Sequence, residues 1–587
     1  MTVPTVTEII ERAEAGKLLD VIFGGHWVGE LQEQERLAQM LATAHNDGLI
    51  NVLVPLDVRA LEQYSGYPAF KGRQMYERLL SKLNVPGEAI LGALETLYGA
   101  EPFSHGADVA LSEWCGSHPQ RPMDLLELVA RELPSATKYQ ALRIGIRSGL
   151  NSDEDYFVDH AIRFLREGIG TQKTEVARSL HGYLFKGQTH WRAVVGAMSA
   201  ALEDLDDDPL RCAILRTALS WLRKTPEDLS DDVGELIRTG CVPLTPEIAC
   251  TVSYALAFGA KSLSWPDFKS LLDCLLEAKL EPKAVGALDL ALSNLLSNGY
   301  AGEVRNFLRA VLLRPDATHR LSEFQSVVSK ISANDTGALN DWVVDWLRSG
   351  NSKLCMEMSE SLFEPGVEHV FDIDFSAYDL KDWEVGFIAR KAIAYFFNKH
   401  GTLGSFLASL ARVANGHQHP VLTALIFEPV LLNYPSLADT DTSFDSIAND
   451  PNDPGRVVIK NALEQLKQYL DELGTIEMLA ELRPSEREVQ LEFELRTEKT
   501  TRAMRDASEN SLMAQLGAVQ RILLYGDGMV SWHNRHDSAG NSPGGLSRVA
   551  QPLSTVMHRF HLPREDFLHP LELRELLLSY RRERRPV

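Results

Sequence analysis

TPEIACTVSYALAFG, residues 245–259, and SWPDFKSLLDCLLEA, residues 264–278, read as two helices joined by a short connector. Thr245 is placed to cap the first helix, Pro246 suits its first turn, and Glu247 favours the positive helix pole. Ser264 and Asp267 form a capping box with Asp in place of the usual Glu. The same signals recur outward from this pair. Thr137, Thr171, Asp208, Thr245 and Glu281-Pro282 open one series, about 34 to 37 residues apart, and Asn151, Thr189, Thr225, Ser264 and Gly302 open a second, about 36 to 39 apart. Two interleaved series at one period describe a repeated helix-turn-helix unit, which cannot bury its apolar face alone and must stack on copies of itself.

Apolar periodicity supports this over residues 136–350. The first helices of successive units read KYQALRIGIRSG, TEVARSLHGYLF, PLRCAILRTALSWL, PEIACTVSYALAFG and KAVGALDLALSNLLSNG, each with a helix-period apolar stripe. The period of about 36–38 lies between the tetratricopeptide and HEAT norms, and the tetratricopeptide Trp-Leu-Gly-Tyr pattern is absent. The chain therefore resembles a degenerate HEAT-type α-solenoid in period and pattern. The expected fold is all-α: a HEAT-like solenoid, then a C-terminal helical module with a loop-rich insertion able to form a small β-hairpin. The expected divisions are a helical region 1–135, the repeats 136–350, a helical region 351–436 with an irregular insertion, an acidic loop 437–455, and the C-terminal module 456–587. Two stretches are ambiguous. VEHVFDIDF (367–375) alternates with period two, and EVQLEFEL (488–495) also alternates, although the capping box Ser485/Glu488 favours a helix there.

Composition limits the function classes. The 587 residues carry 81 acidic and 59 basic side chains, a net charge of −22, which disfavours bulk nucleic acid and anionic lipid and favours a basic partner. The N-terminus has no apolar signal-peptide core, and the longest apolar runs are too short to cross a bilayer. The six cysteines lack zinc-finger spacing and several sit in apolar helical stretches, as expected of small hydrophobes in a reducing compartment. A cytoplasmic protein without a membrane partner is expected.

Candidate chemistry is sparse. In YGDGMVSWHNRHDS (525–538), Asp527, His533, His536 and Asp537 are metal-ligand and acid-base types on a Gly-rich stretch, and His533, His536 and Asp537 are the candidate catalytic groups. Arg581, Arg582, Arg584 and Arg585 form the one basic cluster and are candidates for phosphate or nucleic acid, against the simpler reading of cations at the negative pole of a helix. DTDTSFDSIAND (439–450) spaces its oxygens like a calcium loop, but Phe444 stands where glycine is needed. The acidic run 203–209 reads as a helix cap at Asp208, Asp372-x-Asp374 is isolated, and Trp342 with Trp346 reads as core. No P-loop, dinucleotide fingerprint or GxSxG occurs, so no cofactor is expected; a divalent metal at 525–538 belongs only to the alternative reading of that stretch. The leading expectation is a non-enzymatic scaffold or adaptor for another protein with a basic surface. The alternatives are a metal-dependent hydrolase or effector at 525–538, and a nucleic-acid-associated protein using the C-terminal arginines.

Overall fold

The computed structural model describes residues 3–23, 31–54, 61, 64, 66–100, 105–131, 136–203, 207–259, 263–315, 318–334, 336–363, 368–439, 442–477, 484–509, 528–534, 546–552 and 569–586. Helix dominates them, and the chain divides into two compact units, 1–294 and 295–587.

In the first unit, each helix of one row touches its successor in that row: Leu31–Asn46, Gly66–Ser81, His105–Gly116, Ala136–Ser152, Gly170–Ser179, Asp208–Trp221 and Pro246–Phe258. A second row follows the same rule through Glu154–Glu167, Gln188–Ala201 and Ser230–Gly240. Close approach between rows is local. A Cβ at Gly149 would lie 2.2 Å from the Phe157 ring, so only glycine lets those two helices meet.

Hydrogen bonds repeat at the same interval. Thr217 Oγ1 donates to the Ala177 carbonyl at 2.7 Å, Gly182 N–H to Ser220 Oγ at 2.8 Å, and the Trp221 indole N–H to the Tyr183 carbonyl at 2.9 Å, spanning 40, 38 and 38 residues. In the second unit, Leu321 N–H to Glu357 (2.8 Å) and Arg348 to Glu384 (2.7 and 2.8 Å) each span 36.

Several caps fall where the sequence places them. Thr245 accepts from Ile248 N–H, and Ser264 and Asp267 make the reciprocal box. Asp207, not Asp208, caps the helix at 208, because Asp208 turns instead to the fully buried Arg211 at 2.9 Å. The ambiguous 488–495 stretch lies in the first turns of the helix Glu486–Glu509, with Ser485 and Glu488 bonded reciprocally. The acidic stretch 437–455 is not all loop. Thr442 caps a short helix, Ser443–Asn449, whose Phe444 and Ile447 are buried. Trp342, Trp346, Tyr395, Phe396 and Phe397 are core.

The period-two segment is extended without a sheet. The N–H groups of His369, Phe371 and Ile373 donate to the hydroxyls of Thr402, Ser405 and Ser409 at 2.8, 2.9 and 3.2 Å. Two residues of extended chain advance about 6.6 Å, close to the 4.5–6 Å of three or four helical residues, so the two backbones stay in step. Phe371, Ile373 and Phe375 turn inward while the residues between face solvent.

Candidate functional site

Several residues singled out in the sequence have structural partners. Asp372 pairs with Arg412 at 3.0 Å. Asp374 caps the short turn Phe375–Tyr378 through Ser376, and those hydrogen bonds lower its pKa. The would-be calcium loop is mostly the helix just described, with Asn449 donating to Asp445 at 2.7 Å. His533 lies on the strand Gly528–Asn534, opposite Ser547 of the antiparallel strand Leu546–Pro552. Asp527, His536 and Asp537 lie outside the described residues. Among the described residues, no group of three or more His, Cys, Asp or Glu side chains is arranged to hold a metal ion.

Two of the four C-terminal arginines, Arg581 and Arg585, belong to a clasp within the second unit. The helix Pro570–Arg582 lies on Asp382–Phe396. Its last carbonyls have no partner within the helix. Lys391, fully buried, fills that need: its Nζ donates to the carbonyls of Tyr580, Arg581 and Glu583 at 2.8, 2.9 and 2.6 Å. Burial pushes the Lys391 pKa down, so the ammonium depends on these acceptors. Arg390 grips Glu583 with two bonds of 2.8 and 2.7 Å. Arg581 donates to the Ala394 carbonyl at 3.1 Å with its guanidinium 5.5 Å from the Tyr395 ring centre. Arg585 reaches Glu384 at 2.8 Å, and the same fully buried carboxylate takes both bonds from Arg348. Burial alone would raise the Glu384 pKa. The Arg348 hydrogen bonds, the Lys381 backbone N–H and the charges of Arg348 and Arg585 outweigh it and bring the pKa to about 2. Arg582 and Arg584 remain exposed.

A second feature lies in the first unit and was not read from the sequence. A recess of about 400 Å3 is lined by His181, Arg216, Ser220, Lys224, Tyr254 and Phe258, among others. The rings of Tyr254 and Phe258 stack with centres 5.8 Å apart and planes at 25°. They are 44% and 70% exposed, on the face of Pro246–Phe258 opposite the buried Ile248, Val252 and Leu256. That placement is the legible signal: two aromatics four residues apart, on the side of the helix turned away from its core.

No protein-family model, curated protein or solved structure matches the chain.

Proposed function

We propose that the protein is a non-enzymatic scaffold whose helix pairs form a HEAT-like α-solenoid that holds another protein. The observation that supports this is the recurrence of helix contacts and hydrogen bonds at one period of 36 to 40 residues. Units that touch only their neighbours present an extended surface whose exposed positions are free to vary while the core is kept. The net charge of −22 favours a partner with a basic face. Asp231, Asp232 and Glu235 lie exposed on Ser230–Gly240 and provide a test. Affinity capture of the tagged chain from its native host, with nuclease treatment, should retain a stoichiometric protein partner. Changing all three acids to lysine should weaken capture while the fold persists, stability falling only by the about 0.3–1 kcal/mol that each of Asp231 and Asp232 contributes at the positive helix pole. Capture that is unaffected by such reversals on every exposed acidic helix face, or lost only together with the fold, would remove this reading.

A further inference from the structure

We propose that the recess beside His181 binds a small anion carrying a planar ring, specifically a nucleoside monophosphate. This goes beyond the scaffold reading and does not depend on it. The recess joins two features that are each unusual on this chain. Its wall is an exposed, stacked Tyr254–Phe258 pair, continued by Leu219, Ala255 and Leu263. An aromatic pair this open leaves apolar area in water that a flat ligand would cover. Its rim is basic. Arg216 and Lys224 are exposed beside His181, and among the described residues no carboxylate lines the space, although the chain as a whole is strongly acidic. His181, Arg216 and Lys224 line the same space, and desolvation first, then the charges of Arg147, Arg216 and Lys224, hold the His181 pKa below its ordinary value against a hydrogen bond to the Arg216 backbone. Arg147 is already committed to the carbonyls of Ser179 and His181, at 3.4 and 3.2 Å. Arg216 and Lys224 are the cations the geometry offers to a ligand.

The site is also pre-formed. Gly182 turns the chain at a φ of 66°, its N–H held by Ser220 Oγ, which itself donates to the Thr217 carbonyl at 2.7 Å. The Trp221 indole pins the Tyr183 carbonyl just behind. The basic side therefore hangs from bonds between residues 182–183 and 220–221, the aromatic wall rests on the packing of Pro246–Phe258 against Asp208–Trp221, and a volume of about 400 Å3 lies within the range of small-molecule sites. A bare anion would leave the rings uncovered, and a neutral ring would leave the cations unused. A base stacked on Phe258 with its phosphate at Arg216 and Lys224 satisfies both.

The test is calorimetric titration of the full chain with AMP, GMP, CMP and UMP singly, and with adenosine and inorganic phosphate as fragments. Saturable binding of at least one monophosphate is expected, at least tenfold tighter than either fragment and weakening as salt rises. Phe258→Ala, at an exposed position that leaves the core intact, should weaken it about tenfold. The double change Arg216→Glu with Lys224→Glu should abolish it, with an unchanged unfolding midpoint in both variants. The proposal is overturned if none of the four binds at millimolar concentration, if adenosine binds as well as AMP, or if the variants bind as wild type does.

Discussion

Replacing Lys391 by methionine probes the C-terminal clasp directly. Methionine keeps the length of the side chain and removes the ammonium that caps three carbonyls at 2.6 to 2.9 Å. A hydrogen bond to a charged group contributes about 1.5–3 kcal/mol, so three give a gross value well above the net one. Desolvation of the ammonium takes back part, as the downward pKa shows. The net loss is about 3 kcal/mol, which raises the undocked population of Pro570–Arg582 roughly 100-fold. Amide exchange under native conditions reads this out. Protection at Leu573–Tyr580 should fall by about two orders of magnitude, while the receiving helix Asp382–Phe396 keeps its own protection through Ile388, Ala392 and Ile393, which are fully buried. Breaking only the half-exposed Arg390–Glu583 pair, by Glu583→Ala, should cost about 1 kcal/mol and a correspondingly smaller factor. The capping role fails if Lys391→Met leaves Leu573–Tyr580 protected within threefold of wild type. It fails equally if the loss spreads uniformly through the unit, because the lysine would then be a core group and not a cap.

Two further outcomes follow from the same physics. The Glu384 pKa of about 2 lies below its ordinary 4.5, so its contribution is present above about pH 4.5 and disappears as pH falls toward 2. Stability of the second unit in the wild type should decline across that window, while Glu384→Gln, lower by on the order of 2 kcal/mol at neutral pH, should show a smaller decline, because the Arg348 hydrogen bonds and the Lys381 N–H, more than Arg585, set the shift. A wild type and a variant with parallel acid profiles would discard the assignment. At the extended segment, Ser405→Ala strands the buried Phe371 N–H and should cost about 1–3 kcal/mol in chemical denaturation, more than Ser359→Ala, whose hydroxyl bonds its own helix at an exposed site. Equal costs for the two would show that the hydroxyl pairing does not hold the segment.

Much of the helical framework is legible in the chain because its signals are local. Ser264 with Asp267, Ser485 with Glu488, and Thr245 before Pro246 all lie within one turn of the helix they start. The spacing of Trp342 and Trp346 likewise reports a core face within one helix. Reading fails where a residue answers to something distant. Period two in FDIDF announces an extended chain, but its partners are hydroxyls about 34 residues later on a helix, a pairing that no strand pattern encodes. The acids of 437–455 suggest open loop, yet Phe444 and Ile447 find a core and draw a helix around them. The four arginines look alike in sequence. Contacts made 187 and 201 residues away separate Arg581 and Arg585 from Arg582 and Arg584.

By itself the sequence determined the helical class and several of the helix starts. Each of these depends on interactions within a turn or along one helix face, and periodic spacing of residue types records such interactions directly. The tertiary structure alone decided that Lys391 caps the C-terminal helix, that Glu384 gathers Arg348 and Arg585, and that Arg216, Lys224, Tyr254 and Phe258 face one recess. These groups are set by which surfaces the folded chain brings together. Because desolvation and charge pairing depend on distance in space and not on separation along the chain, no periodicity in the sequence carries them.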